Sequence, residues 1–135
     1  MNLSEFTLSN KPIIFLDFFS KIVSIPASKC QELGASIILP RNDQEHEDLF
    51  TALQSGQLGQ MNGVIALDGT DIANEGVWVD STGSPLSYFR WHGGEPNGGR
   101  GENYLHYWLN HGTWNDKGPD ISSVVCSKTV VNGEF

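Results

Sequence analysis

The chain has 135 residues, enough for one hydrophobic core, so we expect a single domain over residues 1–135. Apolar residues make up 39% and charged residues 18%, a balance that excludes a disordered chain and is typical of globular proteins. Sixteen acidic residues against eight basic ones give a formal net charge of −8, which disfavours nucleic acids and anionic membranes because both bind basic surfaces.

The first strand and the first helix are predicted from residue types in the N-terminal third. Residues 12–19 are rich in β-branched and aromatic side chains, which predicts a β-strand. Ser24 is a suitable N-cap, Pro26 falls in the first helical turn, and Gly34 is a typical C-terminal stop. A short helix is therefore expected over residues 25–33.

A second helix is predicted after a short apolar segment, residues 35–39, which should be extended. Asn42 and Glu45 form a capping-box pattern, and apolar residues then recur at helical spacing. The second helix should run from about residue 43 to residue 54.

The second half of the chain has the pattern of strands and loops. Residues 64–67, 104–109 and 121–125 are predicted strands, and residues 110–112 have the composition of a turn. Residues 81–103 contain six glycines, five of them crowded within residues 93–101, so we expect a long loop. Loops of this length within a compact domain are usually functional.

No segment is predicted to cross a membrane. The longest apolar tract, residues 13–19, is interrupted by Asp17 and is far shorter than the roughly 20 residues that a spanning helix needs. Asp17 and Lys21 also argue against a signal peptide within residues 11–28.

Two cysteines, Cys30 and Cys126, lie near opposite ends of the chain. Neither belongs to a CxxC pair, so nothing supports a zinc site or a thioredoxin-like motif. Their number allows one disulfide or two buried thiols, and the count does not decide between them.

A group of side chains that carry oxygen atoms is spread over the long loop and the two strands that come after it. Carboxylates and carboxamides are the ligands that calcium prefers, at six to eight positions and with flexible geometry. Such a set would leave positions open for hydroxyl groups of a ligand. A cis peptide before Pro96 is energetically accessible and would turn its two neighbours toward one point. The candidate ligands are Glu95, Asn97, Glu102, Asn115 and Asp116.

Two alternative functions, a glycosidase and a zinc site, have weaker support in the sequence. Glu95 and Glu102 could be paired as in a glycosidase, but two amides beside them suit metal binding better than a raised carboxyl pKa, so we expect no enzymatic activity. His92, His106 and His111 match no zinc-binding spacing.

Several motifs occur together and in order, and over residues 12–128 they resemble the C-type lectin-like domain family. The first helix with its cysteine, an EGxW segment, the long-loop signature with Glu-Pro-Asn, a Trp-Asn-Asp motif and a closing cysteine lie at residues 30–35, 75–78, 84–97, 114–116 and 125–126. The resemblance implies an α+β C-type lectin-like fold, with two helices flanking small antiparallel sheets and a long calcium-binding loop. It also implies a disulfide between Cys30 and Cys126.

The resemblance further implies calcium-dependent carbohydrate binding. In the family, the five candidate ligands hold Ca²⁺, and two vicinal sugar hydroxyls coordinate the ion while hydrogen-bonding to the same side chains. The Glu-Pro-Asn form of the loop goes with mannose-type sugars, namely mannose, fucose, glucose and N-acetylglucosamine. A Gln-Pro-Asp form goes with galactose-type sugars. Partners would be glycans bearing such residues, and the location would be extracellular, secreted or on the cell surface.

The chain departs from the family at two places. Tyr104 and Pro119 stand where a second disulfide is common, so the long loop should depend more on calcium for its order. A second calcium site occurs in many members. Asp71 and Glu75 match two of its ligands, but Gly98 and Asn103 replace acidic residues there.

Aromatic residues are expected mostly in the core. Trp78, Trp91 and Trp114 should be buried, and of Tyr107 and Trp108 one should be buried while the other flanks the sugar.

A shallow sugar site would bind a monosaccharide at about millimolar Kd, so useful avidity would require a homo-oligomer or attachment to a larger assembly.

Two rival functions remain for the same fold. One is protein binding, with the calcium site structural or unused, and the other is binding to ice or a mineral surface.

Overall fold

The computed structural model of the chain describes residues 2–8, 11–17, 30–32, 34–56, 63–118 and 124–127, the first two ranges as backbone. One long helix and seven strands occur in these ranges. In chain order they are β1 (Asn2–Leu8), β2 (Lys11–Asp17), β3 (Ser36–Ile37), α1 (Asp43–Gln54), β4 (Val64–Thr70), β5 (Tyr104–Trp108), β6 (Thr113–Lys117) and β7 (Val124–Ser127).

The strands form one mixed sheet in the order β1-β2-β7-β4-β5-β6, and β3 also pairs with β7. The pairs are antiparallel except β4 with β7, which run parallel where Ala66 lies opposite Val124. The sheet therefore differs from the expected purely antiparallel pairing at this one junction. Strand β2 lies beside β7, with Ile14 opposite Cys126, so segments from the N-terminal and C-terminal parts of the chain are paired.

Helix α1 occupies the predicted range, 43–54. The side chain of Asn42 accepts a hydrogen bond from the backbone N–H of Glu45 at 2.9 Å, which satisfies one of the free donors of the first turn. Glu45 Oε1 in turn accepts from the backbone N–H of Arg41 at 2.9 Å. The N-terminus of the helix thus resembles a capping box. It differs in that Glu45 accepts from the N–H of Arg41, one residue before the N-cap, instead of from the N–H of Asn42 itself.

Residues 30–32 are helical, and the rest of the helix predicted over 25–33 lies outside the described residues. Gly34 adopts a positive φ of 69°, while its N–H and that of Ala35 donate to the carbonyls of Gln31 and Cys30. This is the Schellman arrangement, and it confirms Gly34 as the C-terminal stop. The predicted disulfide is also confirmed, since Cys30 and Cys126 are bonded at 2.05 Å.

The main core lies between α1 and one face of the sheet. Leu49 and Ala52 of the helix are buried against Ile65, Leu105 and other residues of the central strands. A smaller apolar cluster contains the disulfide and the side chains of Ala66 and Val124, which pack around it. On β4, Ile65 and Leu67 therefore face the main core while Ala66 between them faces the smaller cluster, as expected for a sheet covered on both faces.

Strand β1 was not predicted, because residues 2–8 mix polar and apolar side chains without a clear period. The strand predicted over 12–19 is β2, and residues 18–19 lie outside the described residues. Likewise, the strand predicted over 121–125 appears as β7, with 121–123 outside the described residues. No helix in the described part of the chain is long and apolar enough to span a membrane.

The long loop, residues 81–103, is anchored although its regular structure is one short 3₁₀ helix, Gly99–Gly101. Residue Trp91 forms a parallel bridge with Trp114 of β6, and the N–H of His92 donates to the Trp114 carbonyl at 2.8 Å. The Phe89 ring stacks on Trp91 at 5.5 Å between centroids. This segment extends the sheet edge at β6 and brings the residues that follow it close to the end of that strand.

Candidate functional site

The Glu-Pro-Asn segment follows directly from the loop segment anchored on β6. Its Glu95–Pro96 peptide bond is cis. The Asn97 side-chain amide donates to Glu95 Oε2 at 2.8 Å, so the two polar side chains meet. A hydrogen-bond donor and an acceptor thus stand side by side at the loop tip.

Asp116, on β6, fixes this segment to the sheet. Its Oδ1 accepts from the backbone N–H of Asn97 at 3.0 Å, and its Oδ2 accepts from that of Gly98 at 2.8 Å. The side chain is 1% exposed, so these charge-assisted bonds form away from water and are correspondingly strong. Asp116 therefore positions the loop as well as offering a carboxylate to it.

The carboxyl groups of Glu95 and Asp116 lie next to each other. Burial raises the pKa of Glu95, and the adjacent carboxyls of Asp116 and Glu102 contribute further, to about 7. Burial also acts to raise the pKa of Asp116, but the N–H donors of Asn97 and Gly98 outweigh it and lower that pKa. Glu95 Oε1 is buried without a hydrogen-bond partner among the described residues. Adjacent carboxyls of this kind need a proton or a cation between them.

The two remaining predicted ligands lie beside this pair. An added Cβ at Gly98 would overlap the Glu102 side chain at its Cβ, Cγ and Oε1 atoms, so Glu102 lies directly over that glycine. Asn115 is 4% exposed and precedes Asp116 on β6. Among the described residues, no side-chain hydrogen bond joins Glu102 or Asn115 to the other three.

The donor set fits calcium chemically. It offers only oxygen ligands from three carboxylates and two amides, and it contains one buried carboxylate oxygen that lacks a partner. No three acidic, histidine or cysteine side chains in the described part of the chain already converge in metal-binding geometry. The structure thus brings Glu95, Asn97 and Asp116 together and leaves Glu102 and Asn115 as neighbours of that group.

A second acidic pair lies at Asp71 and Glu75. Asp71 is 2% exposed, and its Oδ2 accepts from the backbone N–H of Gly76 at 2.9 Å, while its Oδ1 has no described partner. Burial and the neighbouring Asp71 raise the pKa of Glu75. The carbonyl of Asn103 accepts from the Thr70 hydroxyl at 2.6 Å, which ties this turn to the end of the long loop.

Asp80 supports the start of the long loop, and the sequence reading missed it. Its carboxylate accepts from the Thr82 hydroxyl at 2.6 Å, from the N–H of Ser84 at 3.1 Å and from the Arg41 guanidinium at 3.0 Å. Burial alone would raise the pKa of Asp80, but these donors hold it at about 2. The spacing Asp-x-Thr-x-Ser was the available signal, since an Asp accepting from residues two and four positions later closes a turn.

The burial predicted for the aromatic residues is largely confirmed, while the prediction that Tyr107 or Trp108 flanks a sugar stays a prediction. Trp78 and Trp114 are buried, and Trp91 is partly buried against the core. Tyr107 is buried, whereas Trp108 is half-buried. Trp108 lies opposite Thr113, at the turn end of the β5–β6 hairpin, while Asp116 lies near the other end.

The chain is similar in sequence to curated proteins. Pulmonary surfactant-associated protein D of Sus scrofa is 34% identical over 113 residues, which cover 80% of this chain and 28% of that protein. The chain therefore spans about a quarter of the length of this relative. No protein-family profile matches the chain.

Solved structures resemble the chain over nearly its whole length. The carbohydrate-recognition domain of the mouse scavenger receptor C-type lectin has a TM-score of 0.81 at 20% identity, covering 96% of this chain and 97% of that one. The C-type carbohydrate-recognition domain of cow CD23, in the presence of a GlcNAc2Man3 oligosaccharide, scores 0.78 at 22% identity, with 95% of each chain covered. A Ca²⁺-dependent type II antifreeze protein, in its Ca²⁺-free form, scores 0.77 at 15% identity, covering 93% and 98%. From its strand order, its disulfide and these similarities, the chain has the C-type lectin-like fold.

Proposed function

We propose that the chain binds Ca²⁺ through Glu95, Asn97, Glu102, Asn115 and Asp116 and binds a mannose-type sugar at the same place. The observation that carries this proposal is the Glu95–Asp116 carboxyl pair, with a buried Glu95 oxygen that lacks a partner. A divalent cation there would replace the proton that otherwise has to separate the two groups. When bound, it would supply coordination positions for two vicinal hydroxyls of a sugar.

The protein side chains would set which sugar fits. A carboxylate only accepts hydrogen bonds, whereas an amide also donates them. Glu95 and Asn97 are adjacent, with the amide nitrogen of Asn97 directed to Oε2 of Glu95. A pair of hydroxyls bridging these two side chains would donate to one and accept from the other. This order supports the mannose arrangement of hydroxyls, as the Glu-Pro-Asn motif does, and favours mannose, fucose, glucose and N-acetylglucosamine over galactose.

The site is built for weak individual contacts. Glu95 is only half-buried, and Asn97 is exposed, so one sugar ring would touch few atoms. A monosaccharide Kd of about 1 mM, or about −4 kcal/mol, is the expected scale. Glycans with several ligands, presented outside the cell to a secreted or surface-bound homo-oligomer, would gain avidity through effective concentration. Binding, without catalysis, is the whole of the proposed activity.

Asp71 and Glu75 are proposed as part of a second calcium site. The Asp71 oxygen without a partner and the raised pKa of Glu75 support this, because a cation between the two carboxyls would relieve their repulsion. Glycine at position 98 and an amide at position 103 leave fewer charges here than at the first site, so its affinity should be lower.

A surface-binding function is the second candidate, because an antifreeze protein that depends on Ca²⁺ shares this fold. It would use the same loop, with ice or a mineral face in place of a sugar. A protein ligand on the same fold is the remaining alternative. Thermal hysteresis of a concentrated solution separates the ice-binding case from the others.

The test of the proposed function is retention on immobilised mannose and, in parallel, on immobilised galactose, first with calcium and then with EDTA. Retention on mannose with release by EDTA is expected. Retention on galactose would refute the specificity, and retention on mannose that persists in EDTA would refute the role of calcium. A chain that binds neither sugar yet gains thermal stability with calcium would favour the surface-binding or protein-binding alternatives.

A further inference from the structure

Two histidines and a tryptophan, none of them a candidate calcium ligand, form a cluster at the turn end of the β5–β6 hairpin. The ring centroids of His92 and His111 are 4.8 Å apart, and Trp108 packs against them at 4.9 and 5.4 Å. His111 is exposed, while His92 and Trp108 are half-buried. Both imidazoles are therefore accessible from solvent and held by the same indole.

The separation of the two imidazoles suits a shared metal ion. A Zn–N bond of about 2.0–2.1 Å places the ion about 3.2 Å from the centroid of a ligating imidazole ring. Two such rings 4.8 Å apart would subtend about 97° at the ion. This angle lies between the octahedral and the tetrahedral values, so the ring separation allows one ion to be shared once a nitrogen of each ring is turned toward it.

The surroundings of His92 also match those of a metal ligand. Its Nδ1 lies 2.9 Å from the hydroxyl oxygen of Thr113, the residue that directly precedes Trp114 on β6. If Nδ1 donates this bond, Nε2 carries the lone pair, and the ring is held in one orientation. Metal-binding histidines typically use their second nitrogen in this way. Among the described residues, no hydrogen bond occupies Nε2 of His92 or a ring nitrogen of His111.

We propose that His92 and His111 form a binding site for a divalent transition-metal ion such as Zn²⁺ or Ni²⁺. Imidazole nitrogen selects such ions over calcium, which prefers oxygen. The two imidazoles are not among the Glu-Pro-Asn ligands: Thr113, which bonds the His92 ring, is three residues from Asp116 on an extended strand, or about 10 Å, although the backbone carbonyl of His92 accepts from the Glu95 N–H at 2.9 Å. The described residues supply only these two nitrogen ligands, so water or a group from another molecule completes the coordination.

The experiment titrates the untagged chain with Ni²⁺ in the presence of excess calcium. Tryptophan fluorescence is the signal that is measured. Excess calcium occupies the oxygen ligands, and Ni²⁺ quenches a tryptophan that it approaches. Saturable quenching is expected, with recovery when Zn²⁺, which does not quench, displaces Ni²⁺. The variants His92→Gln and His111→Gln should each lose the saturable quenching. The other two histidines, His46 and His106, are buried and provide an internal control.

Two further readouts separate metal binding from a change in fold. Trp108→Phe should lose most of the quenching yet keep the Ni²⁺ affinity measured by calorimetry, because the imidazoles remain. Each histidine variant should keep the melting temperature of the parent chain in the absence of metal. Quenching that is unchanged in both histidine variants, or a parent chain that shows no saturable quenching, would overturn the proposal.

Discussion

Gly98 offers the sharpest test of how Glu102 contributes to the calcium site. Its φ of −89° and ψ of −5° are accessible to alanine, so Gly98→Ala introduces no backbone strain. The added Cβ would, however, overlap the Cβ and Cγ of Glu102. Glu102 would have to move by roughly 1 Å to restore a carbon–carbon separation of about 3.5 Å. A displacement of this size removes the carboxylate from the site while leaving every charge in the chain.

The expected loss follows from the strength of one charged contact. Interactions with charged groups contribute about 1.5–3 kcal/mol, so the calcium Kd should rise roughly 10–100-fold. Titration calorimetry of calcium into the variant and the parent measures this change. The free energy of unfolding without metal should also fall, because the Cβ of Glu102 is fixed to the backbone and the loop must shift to admit the new Cβ.

Gly101→Ala is the matched control for this experiment. It lies three residues away in the same loop, but an added Cβ there meets nothing within 4 Å. Its calcium affinity should equal that of the parent chain. Equal affinities for Gly98→Ala and the parent would refute the reasoning, since Glu102 would then have no part in binding. Equal losses in the two alanine variants would refute it as well, since the cause would be loop flexibility.

Three further predictions concern specificity, pH and stability. Exchanging the two sides of the motif, Glu95→Gln with Asn97→Asp, should shift retention from immobilised mannose toward galactose, and an unchanged preference would contradict the assigned roles. Calcium affinity should fall by about tenfold per pH unit below pH 7, because Glu95, whose pKa is about 7, must first lose its proton. Calorimetry in buffers of different ionisation enthalpy should detect release of about half a proton at pH 7, rising toward one proton at about pH 6. Replacing Cys30 and Cys126 by alanine opens a loop with a sequence separation of 96. The free energy of unfolding measured in urea should fall by about 4–5 kcal/mol at most. No loss would mean that the denatured chain is already compact without the disulfide.

Local signals predicted much of the fold well. The bounds of α1 follow from its cap and its apolar period, and the stop at Gly34 follows from the need for a positive φ. Motif resemblance supplied the disulfide, which the cysteine count left open. The parallel β4–β7 contact and strand β1 were not predictable in this way, because pairing depends on distant residues and β1 lacks a clear alternation.

Residue types alone gave less information about the candidate site. The Glu-Pro-Asn and Trp-Asn-Asp motifs named the ligands but not their contacts, such as the two backbone N–H groups that Asp116 accepts from. The need for glycine at position 98 arises from the position of the Glu102 side chain, which no spacing rule encodes. The His92–His111 pair also depends on tertiary structure, since these residues are far apart in the chain and meet through the Trp91–Trp114 bridge.

The central claim is that sugar binds at the Glu95–Asn97 segment through calcium, and nuclear magnetic resonance tests it at the residue concerned. In a ¹⁵N-labelled chain with calcium, adding methyl α-mannoside should shift the side-chain amide resonances of Asn97 and Asn115. The same addition in EDTA should leave them unchanged, as should methyl β-galactoside with calcium. Shifts that persist in EDTA, or that occur only at residues away from this segment, would contradict the account.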